Sequence, residues 1–198
     1  MKIPDRKVIF GLGLAFLLWC FVFLSNFLVS FWYRVTASSL ILTVYAYSNV
    51  GAPKTITTKE IVVGVVSGLL LYGLFLFGFT VFKPFLEADA NNVYVFRSEL
   101  PMIIPAILLL ITGFCEEYFW RSYIQSNFTN LFGKTGILYT SILYALIHIS
   151  TFNLGLVAAA FIAGLVWGVL YDQLDSFWIV VFSHIVWTEL IFVFLPLL

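Results

Sequence analysis

Apolar residues run through this chain in long blocks, broken only where charge, proline, glycine and asparagine cluster. The blocks cover residues 8–33, 35–50, 61–82, 102–124, 135–150, 155–171 and 177–198. A helix needs about 20 apolar residues to cross the hydrocarbon core, and fewer where its neighbours shelter it. The pattern therefore predicts an all-α, polytopic membrane helix bundle of about six to eight transmembrane helices in a single domain. The 8–33 block is too long for a signal-peptide core and has no small-residue cleavage site behind it, so it reads as a retained span. The 35–50 block contains Thr36, Ser38 and Ser39 and is the least apolar of the set. Residues 51–60 (GAPKTITTKE) read as a polar linker and 83–101 as the longest polar loop.

Composition agrees with a lipid solvent. The chain is 62% hydrophobic and 10% charged, against about 45–50% and about 25% for an ordinary soluble domain. A formal net charge of zero gives no argument for nucleic acid. Cys20 and Cys115 both lie inside apolar blocks and form no disulfide framework. With seven spans and a cytoplasmic N-terminus, Lys2, Arg6, Lys7, Lys54, Lys59 and Lys134 fall inside, and Arg34, Lys83 and Arg97 outside. That bias favours the N-in arrangement, with the 83–101 loop outside. If 35–50 does not cross, everything after it inverts.

The informative residues are those that lipid penalises. Glu116, Glu117 and Arg121 sit in GFCEEYFWRSYI, with apolar sequence on both sides. Ionisable groups at membrane depth cost several kcal/mol and usually face a protein interior. Successive helical residues turn by about 100°, so Glu117 and Arg121 share a face in the favourable acid-before-base spacing of four. Glu116 is rotated away from that pair. The pattern reads as a neutralised pair beside a carboxylate left for chemistry, or as a packing network of all three.

Both histidines of the chain, His148 and His184, also lie within apolar blocks. By helical rise they sit about 21 Å and roughly 12 Å from the inner end of their spans, with Glu116 at roughly 15 Å. The three layers overlap, so the three side chains are able to meet. Tyr144 stands one turn before His148 and Thr188 one turn after His184, each on its histidine's face. Tyr144 is equally a packing residue, and Thr188 equally able to bond its own backbone. Ala160, Gly164 and Gly168 form a small-residue stripe that admits a close helix neighbour. Glu189, about 140° from His184 around the helix, faces elsewhere. Cys115 has no basic neighbour on its own face and reads as a small apolar filler.

At these positions the sequence resembles a known family. Glu116-Glu117-Tyr118-Phe119-Trp120-Arg121 is similar to the EExxxR motif of the CPBP family, the CAAX-protease and bacteriocin-processing intramembrane proteins, also called Abi. Tyr144 and His148 resemble its second motif, and the Gly-spaced stretch from Phe161 through Gly164 and Gly168 to His184 its third. The resemblance covers roughly residues 101–198, taken as the catalytic core. Residues 1–100 match only in being apolar and are taken as variable spans. One departure stands out: the family usually has Asn four residues after the second histidine, and this chain has Thr188.

The resemblance implies a glutamic-type membrane protease in a multi-pass protein of a prokaryotic plasma membrane. Glu116 would be general base on a water held with His148. His184 and Thr188 would donate to the oxyanion, with Glu117, Arg121 and Tyr144 in support. Its substrate would be a membrane-associated protein or peptide; the family's eukaryotic members cut after a prenylated cysteine. No cofactor is expected. The competing mechanism is zinc held by Glu116, His148 and His184, although no HExxH spacing is present. Two non-proteolytic readings stand beside it: an immunity or chaperone-like member of the same family, and a proton-relaying transporter, for which neither an internal repeat nor paired broken helices are visible.

Overall fold

The computed structural model of the protein describes residues 3–25 and 29–198. Among them are seven helices and no strand. Helix α1 (Arg6–Leu24) starts where the Asp5 carboxylate accepts the Lys7 N–H. Helix α2 (Phe31–Val50) starts where the Ser30 hydroxyl accepts the Trp32 N–H. Helix α3 (Thr58–Tyr94) opens with a capping box between Thr57 and Glu60. Helix α4 (Ile103–Phe132) is continuous, with a π-helical stretch at Tyr118–Gln125. Helix α5 (Thr135–Leu146) ends in a 3₁₀ turn, Ile147–Thr151. Helices α6 (Leu154–Leu174) and α7 (Phe177–Glu189) are capped by Asn153 and Ser176.

Two of the expected boundaries are corrected. The block at 8–33 is not one span: α1 ends at Leu24, and Phe31 to Tyr33 open α2. The Ser30 cap, invisible in an apolar count, makes the break. Lys2 and residues 26–28 lie outside the described residues. The stretch 83–101 is not a polar loop over most of its length, because α3 runs through to Tyr94. Its backbone kinks at Phe82 (φ −105, ψ 18), and Pro84 follows. Proline is tolerated in the first turn of a helix because its missing N–H would have no partner there. The polar stretch thus continues as a second helical course instead of unravelling.

Helix α2 spends its polar residues inward. Thr36, Ser38 and Ser39 are buried; Thr36 meets Thr112 of α4 at 3.1 Å, and Thr43 donates to the Cys115 carbonyl. Helices α1, α3, α4 and α6, and α7 together with the π-helical stretch Leu190–Phe194 that continues it, are long and apolar enough to cross a membrane. Large apolar side chains are exposed along them, Phe77 and Leu17 among them. The chain is a multi-pass membrane protein.

Glycines set how closely the helices that carry the polar residues approach. A Cβ on Gly68 of α3 would lie 2.7 Å from the Ser183 carbonyl oxygen of α7, so only glycine lets those helices touch. A Cβ on Gly164 of α6 would meet the Tyr144 ring at 2.9 Å. The small-residue stripe of α6 is therefore the seat for α5, and that seat brings Tyr144 and His148 toward α4.

Candidate active site

Glu116 and Glu117 close the α-helical part of α4, where the turn between neighbours sends them different ways. Glu117 is fully buried and accepts two charge-assisted bonds: from Arg121 Nε to Oε2 at 2.8 Å, and from His184 Nδ1–H to Oε1 at 2.8 Å. Arg121, also fully buried, spends Nη1 on Gln125 Oε1 and the Gly164 carbonyl, each at 3.2 Å. Glu117 thus joins α4 to α7, and its cation joins α4 to α6. The π-helical stretch that contains Arg121 preserves the four-residue pairing while changing the course of the residues after it.

Glu116 faces the other way. Its Oε2 accepts the Tyr144 hydroxyl at 2.8 Å. It lines a cavity of about 120 Å³ together with Tyr144, His148, His184 and Thr188. This volume holds several waters. The wall is otherwise apolar and draws on the N-terminal half too, with Trp19, Phe23, Phe31, Trp32 and Phe96 contributing. Around it, the Phe31 ring stacks on Phe96 at 4.1 Å, Trp32 Nε1–H donates to the Phe96 carbonyl at 2.8 Å, and Glu99 accepts from Ser30 and from the Phe31 N–H.

The two histidines are held differently. The His148 ring lies against the Tyr144 backbone carbonyl, a pure acceptor, so Nδ1 carries the hydrogen of that 2.9 Å bond. Nε2 is then the acceptor and receives the Trp19 Nε1–H at 3.2 Å. His148 is a neutral imidazole with both nitrogens engaged. His184 donates Nδ1–H to Glu117, and its ring stacks on Trp167 at 4.0 Å and 14°. Trp167 is in turn tied to Ser183 at 3.2 Å. The carboxylate and the indole fix the plane of the His184 ring, and the residue lines the cavity.

Thr188 lines the cavity, but its hydroxyl donates to carbonyls of its own helix, His184 at 2.9 Å and Ile185 at 3.1 Å. Glu189 is not among the cavity residues, and neither carboxylate oxygen has a hydrogen-bond partner among the described residues. Both cysteines are free. Among the described residues, no group of three or more His, Cys, Asp and Glu side chains is arranged to hold a metal ion.

Sequence reasoning missed Trp19, Trp167 and Gln125. Gln125 could have been found, since it extends the Glu117–Arg121 stripe by another four residues. Trp19 lies 129 positions from His148, and no local pattern connects them. Trp167 sits in an α6 stretch where the small residues Ala160, Gly164 and Gly168 drew attention.

Residues 98–189 match one family model, Rce1-like, described as type II CAAX prenyl endopeptidase Rce1-like. No curated protein and no solved structure gives a significant match. The matched segment begins just before α4 and ends with α7, so it contains Glu116, Glu117, Arg121, Tyr144, His148, His184 and Thr188. Through residues 98–189 the chain is thus similar to the CAAX-type membrane proteases, the family that the Glu116–Arg121, Tyr144/His148 and His184 motifs resemble.

Proposed function

We propose that the protein is an intramembrane endopeptidase that hydrolyses a peptide bond with a water activated by Glu116. The observation that carries this reading is the division of labour between adjacent carboxylates. Glu117 is fully compensated by Arg121 and His184, whereas Glu116 reaches the cavity with one oxygen committed to Tyr144. In this reading the other oxygen of Glu116 takes a proton from the water as its oxygen bonds to the carbonyl carbon. The carbonyl π pair moves onto oxygen. His184, its Nδ1 held by Glu117, donates to that oxyanion from Nε2 when the ring carries both hydrogens. The C–N bond then breaks, and Glu116 returns the proton to the leaving nitrogen. Preorganised donors gain strength in a cavity that excludes bulk water.

His148 Nε2 accepts a hydrogen bond from the water's second O–H, in place of the Trp19 N–H, and that hydrogen stays on the oxygen. Tyr144 holds Glu116 in register. Thr188 closes the wall beside His184; for it to donate as well, its hydroxyl must first leave the carbonyls of its own helix. The mechanism is metal-free in this reading. Zinc would instead take that same Nε2 lone pair, since the Nδ1 side faces a carbonyl, so the two readings compete for one His148 nitrogen. The substrate is a membrane-associated protein or peptide, and the chain sits in a prokaryotic plasma membrane with its N-terminus cytoplasmic.

The test is cleavage of a fluorogenic CAAX-type peptide, farnesylated and unmodified, by protein reconstituted in vesicles. Wild type cleaves at least one form, Glu116→Gln cleaves neither while remaining folded, and elemental analysis finds no stoichiometric zinc. Full activity in Glu116→Gln removes the proposed base. One zinc per chain, lost in His148→Ala, moves the chemistry to metal-assisted hydrolysis.

A further inference from the structure

Trp167 is fully buried and lines neither the cavity that holds Glu116 nor the apolar groove between α3 and α6. It is therefore placed to act only through its neighbours, and three of its contacts lead to the reacting groups. Its face lies on the His184 ring, with centroids 4.0 Å apart and planes 14° from parallel. Its indole N–H donates to Ser183 Oγ at 3.2 Å. The Tyr144 ring stands across it at 6.4 Å and 67°.

One hydrogen bond does not set the His184 ring. The Glu117 bond at 2.8 Å holds Nδ1, but the ring can still roll about that point, and rolling carries Nε2 through an arc. A flat partner removes that freedom, because a rolled imidazole loses its contact with the indole face. The indole needs fixing in turn, and its N–H bond ends on Ser183, the residue before His184 on α7. Imidazole, indole and serine thus close a circuit between α6 and α7. The same indole bears on the base. Gly164, one turn before Trp167 on α6, is where the Tyr144 ring packs, and the Tyr144 hydroxyl holds Glu116 Oε2 at 2.8 Å. One side chain therefore touches both the residue that holds Glu116 and the ring of His184.

We propose that Trp167, anchored through Ser183, is a positioning residue that fixes where the His184 ring stands relative to Glu116. This rests on the protease reading above. Its effect falls on the chemical step and not on substrate binding, because the two groups must be correctly spaced when water attacks and the carbonyl oxygen gains charge.

The experiment replaces Trp167 by benzothienylalanine, which exchanges N–H for sulfur at nearly constant shape. The stacking face is kept and the tie to Ser183 is cut; Ser183→Ala cuts the same tie from the other side. Cleavage of the same farnesylated and unmodified peptides is followed over substrate concentration at matched folded protein. Each variant is expected to lower kcat about tenfold with KM unchanged, and the two combined to lower it no further, because both break one bond. Trp167→Leu removes the plane as well and is expected to lose on the order of 10² in kcat. A second readout does not depend on turnover. The chain has two histidines, so ¹³C labelling of Cε1 gives two ring resonances, and that of His184 is the one lost in His184→Gln. The indole ring current holds its Cε1–H upfield, and it moves downfield in Ser183→Ala as the indole leaves register. Wild-type kcat in the isostere, or an unmoved resonance in Ser183→Ala, overturns the assignment and leaves the protease reading intact. A rise in KM at constant kcat also overturns it, because Trp167 would then shape the binding surface. If wild type cleaves neither peptide, the protease reading fails for these substrates and the resonance decides alone: a downfield move in Ser183→Ala supports Trp167 as the residue that sets the ring, and none overturns it.

Discussion

Replacing Glu117 by Gln keeps the side-chain volume and removes one charge from a site where nothing touches solvent. Arg121 then loses the carboxylate at 2.8 Å and keeps only two neutral acceptors, Gln125 Oε1 and the Gly164 carbonyl, each at 3.2 Å. His184 loses the anion that holds its Nδ1–H. Removing one partner of a buried pair costs about 3–5 kcal/mol because the other charge is stranded. The Gln amide oxygen still accepts one bond, which favours the lower end of that range. For a chain of this size about 1 kcal/mol moves the melting temperature by roughly 2–4 °C, so Glu117→Gln should melt roughly 6–12 °C below wild type. Glu116→Gln keeps an acceptor for the Tyr144 hydroxyl and should melt within about 2 °C. The assay is intrinsic fluorescence of the protein in nanodiscs at one scan rate, since membrane-protein unfolding is commonly irreversible. The double variant Glu117→Gln/Arg121→Met removes both charges and should recover most of the loss. Wild-type melting in Glu117→Gln, or a double variant worse than the single, refutes the view that Glu117 exists to compensate Arg121 and His184.

Two further variants separate readings of the cavity. Trp19→Phe removes the N–H that occupies His148 Nε2; turnover should hold or rise, because the lone pair is released to the water, while His148→Ala abolishes it. A tenfold loss in Trp19→Phe at matched folded protein would mean that His148 works through its bond to Trp19. Thr188→Val should cost only a few-fold, far below the roughly 10²–10³ of a lost oxyanion donor, since the hydroxyl is already spent on its own helix. Thr188→Asn, bulkier in a cavity of about 120 Å³, should be the more harmful change. The reverse order of activities would give Thr188 an oxyanion role.

What could be read from the chain depended on whether the cause was local. Four-residue spacing put Glu117 and Arg121 on one helix face, and the pair they form needs nothing beyond α4. The small stripe on α6 announced a close neighbour, which is α5. Apolar blocks marked where helices lie but not where they stop. The Ser30 cap splits one block, and Pro84 starts a fresh helical course where polarity suggested a loop. Contacts between distant positions were out of reach. His184 finds Glu117 across 67 residues and Trp19 finds His148 across 129, and neither residue type names its partner. Thr188 illustrates the same limit at short range, because helical spacing places a side chain on a face without saying where a hydroxyl will turn.

The adjacency of Glu116 and Glu117 has a physical logic that goes beyond the motif. A helix in lipid tolerates a carboxylate only when the protein replaces water around it. Glu117 receives that replacement in full, from α4 and from α7, and its charge becomes the fixed point against which the His184 ring is set. Glu116 cannot be treated alike, because a carboxylate satisfied on every side has no oxygen left to take a proton. One residue earlier on the same helix, the side chain is rotated out of that network and onto the Tyr144 hydroxyl and the cavity. Placing the two acids in succession on one rigid helix therefore fixes the distance between the group that is compensated and the group that is not. A loop could not hold that difference at membrane depth, since its own backbone polar groups would demand partners in the same space.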